Sequence, residues 1–169
     1  GLRTGDTFTL RAQPVEGDAT QAGVTYAGLG KSLKPGDAVM LDDGLLELRV
    51  EQSDDRQTLC RVINGGILAS NKSVNVPGVK LDIPYMREKD IEDINFAIDN
   101  DFDYVAASFV RSAEDVWQIK RILDGRNAGN IKIISKLENS EGIENIAEIL
   151  EISDSIMIAR GDMGVELPF

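Results

Sequence analysis

Histidine is absent from this 169-residue chain. Serine–histidine triads, histidine general bases and histidine-ligated zinc are therefore excluded within it. A single cysteine, Cys60, cannot form an internal disulfide and points to a reducing, cytoplasmic setting. Aromatic residues make up only 5%. No apolar run approaches the roughly 18–20 residues of a membrane-spanning helix, and no secretory leader is visible at the start. Positive charge is scarce: 18 Lys and Arg against 29 Asp and Glu, a net charge of −11. That balance argues against nucleic acid as a partner. What is present is 42% hydrophobic and 28% charged residues, the composition of a soluble globular protein able to bury a core.

The chain changes habit near residue 76. All the threonines and ten of the 16 glycines lie before it, whereas fifteen of the isoleucines lie after it. The earlier part carries eight basic and ten acidic residues, the later part ten and nineteen. Asn75-Val76-Pro77-Gly78 is a turn-rich junction. Two domains follow from this, residues 1–76 and residues 77–169.

The first domain reads as all-β. Thr7–Leu10, Leu46–Val50 and Leu59–Ile63 alternate with period two. Asp43-Gly44 predicts a tight hairpin turn between Val39-Met40-Leu41 and the run from Leu45. Short strands at this spacing suggest a small barrel or sandwich. The second domain alternates helix and strand. Ile91, Ile94 and Ile98 form an apolar helical stripe, and Asp103–Phe109 reads as a buried strand. Ser112 and Ser140 are placed to cap the two helices that follow. Strands starting near 104, 131 and 155 repeat with the period of βα units, which implies a parallel sheet. Three such units do not close an eight-stranded barrel, so the chain reads as part of a larger protein.

Ligands of parallel α/β sheets sit beyond the carboxyl ends of the strands. The segments there are Ser108–Arg111, Lys136–Asn139 and Arg160–Gly164. Lys136 and Glu138 are two residues apart, so an extended backbone points both to one side. With Asp162 ending the neighbouring strand, two carboxylates converge near one ammonium. Such a set suits a hard divalent cation and an anionic substrate. Gly161 and Asp162 can present backbone N–H groups to a substrate carboxylate. The competing reading is a solvated salt bridge at strand ends.

Other patterns fail on inspection. Gly30-Lys31-Ser32 mimics the end of a phosphate-binding loop, but Thr25 stands where that motif needs glycine. Asp99, Asp101 and Asp103 open like a calcium loop, but Tyr104 and Val110 occupy its glycine and glutamate positions. Arg160-Gly161-Asp162 spells an adhesion tripeptide directly after a buried apolar strand, a poor place for exposed recognition. Met157 and Trp117 read as core or partly buried packing residues.

Two segments carry a resemblance. Ile131–Gly142 (IKIISKLENSEG) resembles the active-site signature of the pyruvate kinase family, and Ile156–Glu166 (IMIARGDMGVE) resembles the strand and loop that follow it there. Asp42-Asp43-Gly44-Leu45, Asn64-Gly65-Gly66, Lys72–Gly78, Glu88–Ile91 and Ala107–Arg111 fall in the family's order. The resemblance implies an α/β fold. Residues 1–76 would be a small β-barrel lid, and residues 77–169 part of the catalytic (β/α)8 TIM barrel, about its fourth to sixth strands.

The implied reaction transfers a phosphoryl group from phosphoenolpyruvate to ADP, giving pyruvate and ATP in glycolysis, in a cytoplasmic homotetramer. By the same resemblance Lys136 is the catalytic, substrate-binding lysine. Glu138 and Asp162 hold Mg²⁺ or Mn²⁺, Gly161 and Asp162 hold the substrate's carboxylate end, and Lys72 meets the nucleotide. Asp43 lies in the lid turn. The ligands for K⁺ and further substrate groups lie outside this chain, so the chain alone is expected to lack turnover. Two positions depart from the family's pattern: Ser73 replaces a frequent glycine, and Arg87 replaces a serine, which should cost a helix its cap. A metal-dependent lyase or aldolase of the pyruvate/phosphoenolpyruvate barrel group is the alternative enzyme class. A non-catalytic interaction fragment is the alternative outside enzymes.

Overall fold

A computed structural model of the chain describes residues 1–167. They divide into two compact units, one spanning Gly1–Asp82 and the other starting at Ile83. The boundary falls beyond the turn-rich junction at Asn75–Gly78 because Val79 and Leu81 pack against the core of the first unit.

The first unit is one six-stranded sheet. Its strands are β1 (Thr7–Arg11), β2 (Gln21–Gly23), β3 (Ala38–Leu41), β4 (Leu46–Ser53), β5 (Gln57–Asn64) and β6 (Val74–Asn75), in the order β2-β1-β5-β4-β3-β6. Only the β1–β2 pairing is parallel. Period-two alternation sends Leu46, Leu48 and Val50 of β4 inward, with Thr58, Cys60 and Val62 of β5. Register then opposes Val39 to Leu48, and Cys60 to both Val50 and Phe8. Phe8, Leu10, Val39 and Leu41 complete a core whose members are almost fully buried. Three elements carry too little alternation to be read from sequence: β2, β6 and the one-turn helix α1 (Leu29–Ser32).

The β3–β4 connection is longer than the two-residue turn expected at Asp43-Gly44. Four residues, Asp42 to Leu45, separate the strands, and Asp42, Asp43 and Gly44 all have positive φ. Aspartate tolerates that region better than most residues, and Leu45 N–H closes the turn on the Asp42 carbonyl at 3.1 Å.

The second unit holds three parallel strands, β7 (Tyr104–Ala107), β8 (Lys132–Leu137) and β9 (Ser155–Ile158), in sequence order. Helix α3 (Ala113–Gly125) links β7 to β8, and α4 (Ser140–Glu144) with α5 (Ile146–Ile152) links β8 to β9. Helix α2 (Glu88–Asp99) precedes this array and α6 (Arg160–Glu166) follows β9. Val116, Ile119 and Leu123 of α3, Ile149 of α5 and Ile94 of α2 pack with Ile131, Ile133 and Leu137.

Several local expectations are corrected here. The run 103–109 is not one buried strand: β7 ends at Ala107, and Tyr104 and Ala106 are exposed. Only the face of β7 that carries Val105 and Ala107 packs into the core. Met157 is 44% exposed on the other edge strand, and Trp117 is 45% exposed with the Lys120 ammonium 5.8 Å from its ring centre. Ile91 of the α2 stripe is also exposed. Ser112 makes no capping hydrogen bond through its side chain. The Glu148 carboxylate accepts from Ala113 N–H instead, and Asp115 accepts from Arg111 N–H. Ser140 is not the cap of α4, because Asn139 Oδ1 accepts from Gly142 N–H at 2.7 Å. At α2 the Arg87 N–H is taken up by the Asp90 carboxylate, which also pairs with the Arg87 guanidinium. That guanidinium holds Asp90 below the usual carboxylate range.

Candidate active site

Strand β8 has strict alternation: Ile133, Ser135 and Leu137 face the helices, while Lys132, Ile134 and Lys136 face the other way. Register sets Ala107 of β7 against Ser135. Ser108, just past the end of β7, and Lys136 of β8 therefore meet at the carboxyl ends. The Lys136 ammonium donates to Ser108 Oγ at 2.9 Å and to Glu138 Oε1 at 2.6 Å.

Glu138 is the unusual member. Its side chain is 1% exposed. A buried carboxylate is stable only when paired and hydrogen-bonded. Lys136 supplies the countercharge, and the second oxygen accepts the Phe109 N–H at 2.7 Å. Phe109 reaches that position by adopting φ +54°. For a non-glycine residue this costs on the order of 1–2 kcal/mol, and the strain is tolerated because the chain is tied down on both sides. Val110 N–H donates to the Lys136 carbonyl at 3.3 Å, Tyr85 OH donates to the Ser108 carbonyl at 3.2 Å, and Asn145 Nδ2 donates to the Arg111 carbonyl at 2.8 Å. Burial, with the nearby Asp115 charge, pushes the Tyr85 phenol above its ordinary range, so it remains a proton donor. Gly142 completes the packing. A Cβ there would lie 2.4 Å from the Val110 carbonyl oxygen, so only glycine lets α4 sit this close.

Asp162 and Gly161 lie in the first turn of α6, not on a strand end or in an open loop, since the helix begins two residues after β9. Both are exposed. Among the described residues no hydrogen bond or ion pair links Asp162 to Lys136 or Glu138. The adhesion-like tripeptide is thus helical. Among the described residues no group of three acidic or cysteine side chains clusters as a metal site. A hard divalent ion needs only one or two protein carboxylates. Glu138 uses two of its roughly four lone-pair sites, which leaves it acceptor capacity for such an ion.

Lys72 belongs to the first unit. Its ammonium pairs with Asp42 at 2.8 Å, which raises its pKa through that hydrogen bond and charge. Ser73 is part of the same clasp: its hydroxyl donates to Asp43 Oδ1 at 2.6 Å and accepts Asp43 N–H at 2.9 Å. The departure from glycine therefore ties the segment to the β3–β4 turn. Ser108, Phe109 and Tyr85 were not assigned roles from sequence.

The sequence matches the family described as "Pyruvate kinase, barrel domain" over residues 2–169. It is 44% identical to a pyruvate kinase of Clostridium perfringens and 45% identical to one of Clostridium acetobutylicum, over 99% of this chain and 35% and 36% of theirs. It is 47% identical to a pyruvate kinase of Staphylococcus saprophyticus, over 99% of this chain and 29% of that one. The chain spans about a third of the length of the curated relatives it matches. A buried carboxylate paired with an ammonium at the ends of parallel strands, inside a sequence matched from end to end, leads to one conclusion: this chain belongs to the pyruvate kinase family.

Proposed function

We propose that this segment serves a cytoplasmic phosphotransferase that moves the phosphoryl group of phosphoenolpyruvate to ADP. The observation that carries the reading is the Lys136 ammonium. It is held by Glu138 and Ser108 at the carboxyl ends of adjacent parallel strands. Residues 77–169 are then the fourth to sixth βα units of a (β/α)8 barrel, a reading supported by the consecutive parallel order β7-β8-β9. Residues 1–76 are the lid, supported by their separate sheet and core.

An ammonium has three N–H donors, and Lys136 spends two of them on Glu138 and Ser108. The third serves a phosphoryl or enolate oxygen. Phosphoryl transfer passes through a loose transition state that asks mainly for positioning and charge neutralisation. A donor fixed beforehand beside a buried carboxylate supplies both with little reorganisation. Glu138 and Asp162 would hold Mg²⁺ or Mn²⁺, which supplies charge neutralisation at phosphoryl oxygens. Potassium ligands come from outside this segment. The N–H groups of Gly161 and Asp162 fall in the first turn of α6, which lacks intrahelical acceptors, and so can donate to the substrate carboxylate. Lys72 takes nucleotide phosphate by exchanging it for Asp42.

The test uses a protein of the relatives' length that carries this segment. Lys136→Ala should lower kcat by on the order of 10²–10³-fold or more, followed by coupling pyruvate release to a dehydrogenase. Loss of the partner of Glu138 also costs about 3–5 kcal/mol of stability, so the assay is run well below the variant's melting temperature. A kcat within twofold of the parent's would overturn the assignment. The 169-residue chain alone should show no turnover.

A further inference from the structure

The reading above uses Lys136 and Glu138; the geometry points to a third participant. We propose that Ser108 is a positioning residue, whose hydroxyl fixes the direction in which the Lys136 ammonium presents its remaining N–H. The inference rests on Lys136 being the catalytic lysine.

A lysine ammonium is a mobile point charge on a four-carbon stem. One carboxylate partner neutralises it but leaves it free to swing about the carboxylate oxygen. Glu138 Oε1, at 2.6 Å, is such a partner. A second anchor on a different strand removes that freedom, and Ser108 Oγ at 2.9 Å is on the neighbouring strand's extension. A hydroxyl is suited to this task because it is neutral. It orients the ammonium without quenching the positive charge that the reaction needs, as a second carboxylate would.

The hydroxyl is itself placed with care. Tyr85 OH holds the Ser108 carbonyl, and the next residue, Phe109, bends into positive φ to give its N–H to Glu138. Residues 108 and 109 thus address the two members of the ion pair separately, one by side chain and one by backbone. Folding alone gives little reason for a hydroxyl at 108. Ser108 is exposed, and an alanine there would remove no buried contact.

The experiment compares Ser108→Ala, Ser108→Thr and Lys136→Ala in a protein of the relatives' length. Melting temperatures and kcat and KM for phosphoenolpyruvate are measured for each. Misplacing a reacting group by a fraction of an ångström to an ångström costs on the order of ten- to a hundredfold in rate. Ser108→Ala should therefore lower kcat by about tenfold or more with KM within about threefold and an unshifted melt. Ser108→Thr, which keeps the hydroxyl, should recover most of that loss. An unchanged kcat in Ser108→Ala, or equal losses in the alanine and threonine variants, would overturn the positioning role. If Lys136→Ala collapses kcat while Ser108→Ala does not, only this inference falls. If Lys136→Ala retains kcat, the reading of the whole site falls with it.

Discussion

The two units bury their apolar residues by different means. In the first, antiparallel strands present one apolar face each, and neighbouring register stacks Phe8, Val39, Leu48, Val50, Cys60 and Val62 into a single core. The opposite face is polar and pairs across strands, as Arg61 does with Glu51 at 2.8 Å. In the second unit the parallel sheet is packed by α3 and α5, yet Tyr104, Met157 and Ile158 on its edge strands are about half exposed. The difference follows from connectivity. Antiparallel strands joined by short turns can leave one face to water, whereas the helices of the crossover connections pack one face of the parallel sheet here and β8 turns Lys132, Ile134 and Lys136 to the other. The polar chemistry follows the same division. In the first unit it forms a clasp on a hairpin, Lys72–Asp42 and Ser73–Asp43. In the second it gathers where parallel strands end together.

Core truncation should sharpen this contrast most. Leu48→Ala, at a position with no exposure, should cost about 2–5 kcal/mol. Ile158→Ala, at 52% exposure, should cost within about 0.5 kcal/mol. Denaturant titration measures both. Cys60 gives a reporter confined to the first unit: burial pushes its thiol up to about 12, so it should resist thiol reagents until that sheet opens. Leu48→Ala should speed its labelling, and Ile158→Ala should not. Equal costs for the two substitutions would erase the distinction.

A smaller effect separates positions within the second unit. Gly142→Ala forces a Cβ against the Val110 carbonyl and should cost about 1–3 kcal/mol. Gly125→Ala, near the end of α3 with nothing within 4 Å of its Cβ, should be neutral or stabilise by up to about 1 kcal/mol. Thermal melts of the two variants decide this. A Gly142→Ala melt at the parent's temperature would show that α4 can move off β8's end without loss.

The smallest effect is acid sensitivity. Asp154 accepts Ile133 N–H at 3.0 Å and pairs with Lys132 at 3.1 Å. The backbone hydrogen bond first, then Lys132, holds its pKa below the ordinary 3.8. A lowered native pKa contributes stability above the unfolded value, and that contribution fades as pH falls through the native one. Asp154→Asn should therefore lower stability at neutral pH and flatten its decline below about pH 4. A decline of undiminished slope would remove Asp154 from the acid response.

Much of the site was legible because its signals are local. Two-residue spacing put Lys136 and Glu138 on one side, and they meet at 2.6 Å. Alternation located β1, β4 and β5, and the βα period located β7, β8 and β9. The signals failed where a distant partner decided the outcome. Ser112 and Ser140 are standard capping residues, yet Glu148 and Asn139 supply the hydrogen bonds. Arg160–Glu166 looked like a loop and is helix α6.

What the amino-acid order determined by itself was the division into a β part and a βα part, the parallel character of the second, and the pairing of an ammonium with a carboxylate two residues away. All of these depend on periodicity and near neighbours. Tertiary structure decided that Glu138 is buried, that Phe109 bends to meet it, and that Ser108 stands beside Lys136. Those contacts join residues 28 or 29 positions apart. They exist only once β7 and β8 have paired, because the parallel strands meet across the α3 crossover and not through neighbours in sequence.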